Sequence, residues 1–212
     1  MKTIFRKAAY IILALAAAGC AKAVVEGANV AEKRYFDAWI QNNYPNAEST
    51  ELGVYILEDT KGEGGKVVKE DGYMFAEYTT TDLEGNISTY TNKETAKQLG
   101  KYDTTTYYGP KVSTTFKNTI QAGLADVVLG MRVGDRKKVV IPGWLMTYSS
   151  YGSAEEYIEK ATSGSHTIYD ITIKDFTDTI GSWEKQQIQK YFEANRAEFG
   201  DMDTTKFVVM KA

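Results

Sequence analysis

The tightest constraint on this chain is the alternation in Thr167-Ile168-Tyr169-Asp170-Ile171-Thr172-Ile173. Successive side chains of a strand point to opposite faces, so such a segment belongs in a sheet with one face covered. The same period returns at residues 73–78, where Tyr73, Phe75 and Glu77 alternate with Met74, Ala76 and Tyr78. Leu52–Glu58 and Asp135–Pro142 read as further strands, and the punctuation between segments is turn chemistry: Lys61–Lys66, Gly134, and Glu84-Gly85-Asn86, a hairpin turn of residues that tolerate positive φ. One short amphipathic segment stands among the strands, Ile120–Met131, with Leu124, Val127, Val128 and Met131 on one side. A helical turn is expected at Lys93–Leu99 and a helical stretch at Ala154–Ala161 within the long loop 143–166, while Tyr102–Pro110 is a polar, Tyr/Thr-rich excursion. The expected fold class is α+β, a twisted antiparallel sheet covering a short helix.

Two helices flank that unit. Tyr35, Phe36, Trp39 and Ile40 form one apolar face of a helix beginning at Ala31 and ended by Asn42-Asn43-Tyr44-Pro45. Trp183–Phe199 reads as a helix and Lys206–Met210 as a terminal strand. This tail mirrors the opening: Tyr35-Phe36-Asp37-Ala38 matches Tyr191-Phe192-Glu193-Ala194, and a strand follows each, as in a partial repeat. The tail is expected to pack on the body of the protein, with the N-terminal helix as its natural partner, since Trp183, Ile188, Tyr191 and Phe192, then Phe207, Val208, Val209 and Met210, are too many apolar residues to leave in water.

Composition removes whole classes of chemistry. With 25 Lys+Arg against 28 Asp+Glu there is no basic excess to neutralise phosphates, so nucleic acid is not an expected partner. One Cys and one His exclude a disulfide framework, a Cys/His zinc site and a Cys–His or Ser–His catalytic unit. No metal or cofactor is implied. His166, at a strand edge, reads as an exposed polar residue, and Arg136-Lys137-Lys138 as the solvated side of a strand.

The first residues are set apart. Lys2, Arg6 and Lys7 precede an apolar run from Ala8 to Ala18, too short for a spanning helix, and Ala17-Ala18-Gly19-Cys20 follows. This resembles a bacterial lipoprotein signal, in which small residues precede a cysteine that becomes the lipidated N-terminus. The resemblance implies a signal peptide over residues 1–19, a lipid anchor at Cys20 and a short tether over 20–30. Because Ala21 is not Asp, it also implies transfer to the outer membrane of a bacterial envelope. Loss of Lys2, Arg6 and Lys7 leaves 22 cations against 28 acids, net −6, so the mature chain is mildly acidic.

Residues 52–176 resemble an FKBP-type peptidyl-prolyl cis-trans isomerase domain, of the lipid-anchored bacterial branch. The motif is Val128-Leu129-Gly130-Met131-Arg132-Val133-Gly134-Asp135-Arg136-Lys137-Lys138-Val139-Val140-Ile141-Pro142, similar to the family's helix end, turn and following strand. Gly53-Val54-Tyr55, Tyr78-Thr79-Thr80, Gly123-Leu124 and Tyr169-Asp170-Ile171 support it in order and spacing. The implied fold is a twisted antiparallel sheet wrapped around one short helix, here with extra segments at 31–51 and 177–212. The implied partners are proline-containing or unfolded polypeptide segments. The implied reaction needs no nucleophile, metal or base: a dry pocket that prefers the twisted imide lowers a barrier of about 18–20 kcal/mol.

The resemblance assigns the pocket residue by residue. Tyr78 and Tyr169 are its aromatic wall, Ile120 and Leu124 its lip and floor, and Tyr148 supplies a hydroxyl, with Thr147 and Tyr151 as alternatives. The backbone N–H that receives the substrate carbonyl belongs to Gln121. Ser88 and Thr89 stand where the family has Phe-Asp, so an aromatic wall and a carboxylate are missing, and Ser163-Gly164-Ser165-His166 replaces a Pro-Pro segment. No catalytic residue is assigned. The expected activity is weak; a catalytically degenerate, chaperone-like binding module is the other expectation. Replacing Cys20→Ser is expected to leave an unprocessed precursor, read as a higher mass on a gel; normal processing and membrane retention would contradict the anchor.

Overall fold

The computed structural model describes residues 27–199. Cys20, the leader and the expected strand Lys206–Met210 lie outside the described residues. The strands are β1 (Glu48–Ser49), β2 (Tyr55–Thr60), β3 (Tyr73–Thr81), β4 (Ile87–Tyr90), β5 (Lys111–Thr114), β6 (Arg136–Ile141) and β7 (Thr167–Thr177). The helices are α1 (Val30–Asn43), α2 (Lys93–Gln98), α3 (Ala122–Val128), α4 (Ala154–Lys160), α5 (Ile180–Ala194) and α6 (Arg196–Phe199), with a 3₁₀ turn at Gly143–Leu145. Among the described residues the sheet runs β1-β2-β6-β7-β3-β4, with β5 sharing the edge of β3, and every pairing is antiparallel. An α+β body of this kind, an antiparallel sheet around a short helix, is what the resemblance implies.

Register sorts the two faces. Val139 pairs with Tyr169 and Tyr169 with Thr80, while Ile171 pairs with Tyr78 and Ile173 with Ala76, so these residues share the concave face. Val139, Ile141, Ile171, Ile173 and Ala76 are buried there beneath α3, whose Val127 and Val128 are buried too. The hairpin β3–β4 turns at Gly85, whose φ of +87° is the left-handed region glycine adopts without strain. Asp82 organises that turn, accepting from the Glu84 and Asn86 N–H groups at 3.0 and 2.8 Å.

The convex face is covered at two places by the flanking helices. The Phe36 ring of α1, 1% exposed, meets Tyr55, Trp144 and His166 at 5.8, 5.5 and 4.7 Å. The chain joins the body before α1 begins: Asn29 is fully buried and its Nδ2 donates to the Ala161 carbonyl at 2.7 Å. Part of the expected tether is therefore docked on the end of α4. His166 corrects the sequence reading. It is 7% exposed, its Nδ1 accepts the Gly143 N–H at 2.9 Å, and its Nε2 lies 3.3 Å from a Glu32 carboxylate oxygen. The loop folds back between α1 and the sheet, which periodicity along β7 does not reveal.

The C-terminal helix packs on the body, as expected. Trp183 of α5 stacks on Phe75 of β3 at 3.9 Å and donates from Nε1 to Asp175 at 2.8 Å. Its partner is the sheet, because α1 is seated on Tyr55 and Trp144. Tyr191 stays 57% exposed.

The seat of α3 has no slack. A Cβ on Gly123 would stand 2.3 Å from Ile141 Cγ2 and 2.9 Å from Leu145 Cβ. Gly123→Ala is therefore expected to destabilise the protein by about 1–3 kcal/mol, overpacking outweighing the gain in helix propensity. A lowered urea midpoint checks this; an unchanged midpoint would contradict the close approach.

Candidate functional site: a tyrosine-walled face beside the short helix

Tyr78 and Tyr169 come from neighbouring strands, and their side chains share the concave face because Tyr169 pairs with Thr80, two residues along from Tyr78. Their rings lie 6.1 Å apart at 40°. Both are half-buried and pack on the core with Leu124 of α3. The backbone of Tyr78 is pinned by Thr91, a buried residue at the end of β4: its hydroxyl accepts the Tyr78 N–H at 3.0 Å and its own N–H donates to the Tyr78 carbonyl at 3.0 Å. A buried threonine after an edge strand carries no sequence signal for this role.

The helix N-terminus faces the same region. Ile120 is 9% exposed, and Gln121 is extended, with φ −65° and ψ 141°, as the residue that caps α3. The Ala122 N–H donates to the Thr147 carbonyl at 2.8 Å, which lashes the loop after β6 to the helix. Among the described residues the Gln121 N–H has no backbone partner.

Of the three candidate hydroxyls, Tyr148 is the one placed near the wall. Burial pushes the Tyr169 phenol up to about 12, and the Tyr78 and Tyr148 phenols push it the same way. Tyr151 turns instead toward α4, donating to the Lys160 carbonyl at 3.4 Å and meeting the Tyr157 ring at 5.0 Å. Thr147 Oγ1 accepts the Ser149 N–H at 3.2 Å. Tyr148 itself is 56% exposed.

Ser88 and Thr89 sit on β4, beyond Thr80. The Ser88 hydroxyl lies 2.8 Å from the buried Thr80 hydroxyl and 3.3 Å from the Thr80 carbonyl, to which it donates. Thr89 is opposite Thr80 in register and exposed. Ser88 and Thr89 bring small hydroxyls here, neither ring nor charge, and that of Ser88 is engaged within the sheet.

A second hollow lies on the outer side of α3. It holds about 400 Å³ and is lined by Ala122, Ala125 and Asp126 of the helix, by Leu129 just past its end, and by Leu52, Lys117 and residues 148–151. Ile120 lines it as well, and so does Tyr148, which reaches the Tyr169 phenol and links the hollow to the tyrosine face. Sequence reasoning missed it, because its walls come from segments spread over about a hundred positions; the one local signal was two alanines on the outer stripe of an amphipathic helix.

No family profile matches this chain, and no curated protein does. Its likeness is to solved structures. FkpA from Escherichia coli superposes with a TM-score of 0.46 at 14% identity, over 71% of this chain and 59% of its own. This chain thus spans less than two thirds of that protein. A peptidyl-prolyl cis-trans isomerase from Pseudomonas syringae superposes with a TM-score of 0.43 at 16% identity, over 71% of this chain and 94% of its own. The fold assignment rests on the sheet and helix described above.

The raised Tyr169 phenol has a consequence at high pH. The unfolded phenol ionises near 10 and the folded one near 12, so the stabilisation it gives is complete below pH 10 and is lost as the pH rises toward 12. About 2–3 kcal/mol of stability is at stake. Tyr169→Phe is expected to flatten the fall in urea midpoint over that range; an equal fall in both proteins would contradict the assignment.

Proposed function

We propose that the Tyr78–Tyr169 face binds proline-containing polypeptide segments and isomerises their prolyl bonds slowly, on a body held to the bacterial outer membrane through a lipidated Cys20. One observation carries this reading. Two half-buried tyrosines 6.1 Å apart stand beside the helix end where the Gln121 N–H is left without a backbone partner. Tyr78, Tyr169 and Leu124 offer an apolar seat for a pyrrolidine ring, with Ile120 at its edge. The Gln121 N–H is available to a substrate carbonyl, and Tyr148 brings a hydroxyl to the rim.

Binding and turnover separate here, because only contacts stronger in the transition state than in the ground state speed the step. Ser88 and Thr89 supply neither an aromatic wall nor a carboxylate against the twisted imide, and the Ser88 hydroxyl is already engaged by Thr80. That observation also favours a second reading, a chaperone-like module that holds such segments without turning them over.

A protease-coupled assay on a Xaa-Pro peptide, with protein beginning after Cys20, tests both. The native protein is expected to bind the peptide and isomerise it slowly. Ser88→Phe with Thr89→Asp is expected to raise turnover toward two decades, given that one preorganised contact is worth about 10²–10³ in rate. A native rate typical of the family would overturn the weak-activity reading. Binding with no turnover in either protein supports the holding module, and absence of binding overturns both.

A further inference from the structure

Proline binding leaves the segment between β4 and β5 without a role, although Tyr107 and Tyr102 there are 62% and 40% exposed. The segment is tightly folded. The Tyr102 and Tyr108 rings stack at 5.6 Å, the Tyr108 hydroxyl accepts the Asp103 N–H at 3.0 Å, and Asp103 accepts the Thr105 N–H at 2.8 Å. Both ends are fastened beside Tyr78. The segment leaves the sheet at Thr91, which clamps the Tyr78 backbone, and on its return the Gly109 N–H donates to the Thr91 carbonyl at 2.9 Å.

Its charge opposes that of the chain. Lys93, Lys97, Lys101 and Lys111 stand here against Glu94 and Asp103, in a chain whose 28 acids outnumber its 25 Lys and Arg. Glu94 is taken by Lys97 at 2.9 Å and Asp103 by its own turn. Among the described residues Lys93, Lys101 and Lys111 form no ion pair. Lys111 Nζ is held 5.0 Å above the centre of the Tyr107 ring, which attracts an ammonium without neutralising it. It gives one proton to the Tyr107 carbonyl at 3.1 Å, so two of its three donors remain for an acceptor.

Register places this cation on the concave face. Lys111 pairs with Ala76, which is buried on that face, and Tyr78 follows two residues along the same strand. Strands about 4.8 Å apart and a two-residue advance of about 6.8 Å put the Lys111 and Tyr78 backbones roughly 8 Å apart. Two residues of extended chain cover about 7 Å, and a side chain supplies the rest. We propose that Lys111, held over Tyr107, receives an aspartate or glutamate two residues from the proline of the bound segment. The proposal rests on the proline-segment reading above and adds the substrate class, proline with an acidic residue nearby. Charge complementarity names the occupant. A carboxylate satisfies the free ammonium donors and its short stem lies along the exposed Tyr107 ring, whereas a basic side chain would meet like charge.

Two sets of three proline peptides test this, one carrying Glu, Gln or Lys two residues before the proline and one carrying them two residues after it. They are titrated calorimetrically at low salt into protein beginning after Cys20. The chain is acidic overall, so its long-range field favours the Lys peptide, and a preference for Glu reports a local cation. In one set the Glu peptide is expected to bind about fivefold tighter than its Gln counterpart. That ratio is worth about 1 kcal/mol, in keeping with one half-exposed ion pair. In Lys111→Gln it is expected to fall below about twofold, whereas Lys111→Arg is expected to keep it. Should Lys111→Gln fail to fold, Tyr107→Leu, at an exposed position, is expected to lower the ratio, and no lowering would count against the proposal. Equal binding of Glu and Gln peptides in both sets overturns the proposal and leaves the proline reading standing, as does a ratio that survives Lys111→Gln. Sedimentation with phosphatidylglycerol vesicles that is lost in Lys111→Gln, joined to equal peptide binding, overturns it in favour of an anionic lipid surface. Failure of every peptide to bind overturns both.

Discussion

The distance between α3 and β6 sets the rest of the molecule. Because residue 123 has no Cβ, the helix comes close enough for Val127 and Val128 to be buried with Val139, Ile141, Ile171 and Ile173. The same approach brings the Ala122 N–H to the Thr147 carbonyl, 2.8 Å away. That bond hangs the loop after β6 beside the concave face and so carries Tyr148 toward Tyr169. One absent methyl group thus determines both the packing of the core and the shape of the proposed pocket. A helix held further out would leave the sheet wet and the tyrosines without a rim.

The convex face follows different rules. α1 and α5 cover separate parts of it, and a charged strip stays open to solvent. In that strip Arg136 pairs with Asp170 at 2.6 Å and with Glu58 at 2.7 Å, tying β6 to both of its neighbours. Half-exposed ion pairs of this sort contribute little stability. Their effect is on register, since a one-residue slip would carry Arg136 to the apolar face.

Much of the fold was legible in the sequence, because alternation and turn chemistry are local. The strands around Tyr73–Tyr78 and Thr167–Ile173, the Glu84-Gly85-Asn86 hairpin and the helix at Ala154 all stand where those signals put them, with ends shifted by a few residues. β7 runs on to Thr177, past a register shift where Ala76 pairs with Ile173 and Phe75 with Asp175. The errors concern long-range packing. His166 looked exposed because nothing nearby in sequence announces that α1 will cover it. The C-terminal helix was expected on the body with α1 as its natural partner, yet Trp183 finds its flat surface on Phe75, about a hundred residues upstream. At the candidate site, Tyr78 and Tyr169 were legible through the resemblance, whereas Thr91 and Asp126 were not, since each acquires its setting only when distant segments meet.

The imidazole beneath α1 is more informative than its burial alone. Because His166 Nδ1 accepts a backbone N–H, the ring's single proton resides on Nε2, facing Glu32. A second proton would have to enter at Nδ1 and would meet the Gly143 N–H head on. Desolvation already holds this group below its ordinary value, against the pull of Glu32. The stabilisation it gives is therefore present at neutral pH and lost as the pH falls. Tyr169, on the opposite face, is sensitive to alkali. The molecule thus carries an acid-sensitive clasp where its N-terminal helix joins the body and an alkali-sensitive wall in its proposed pocket, and between the two lies a pH range in which both faces are at rest.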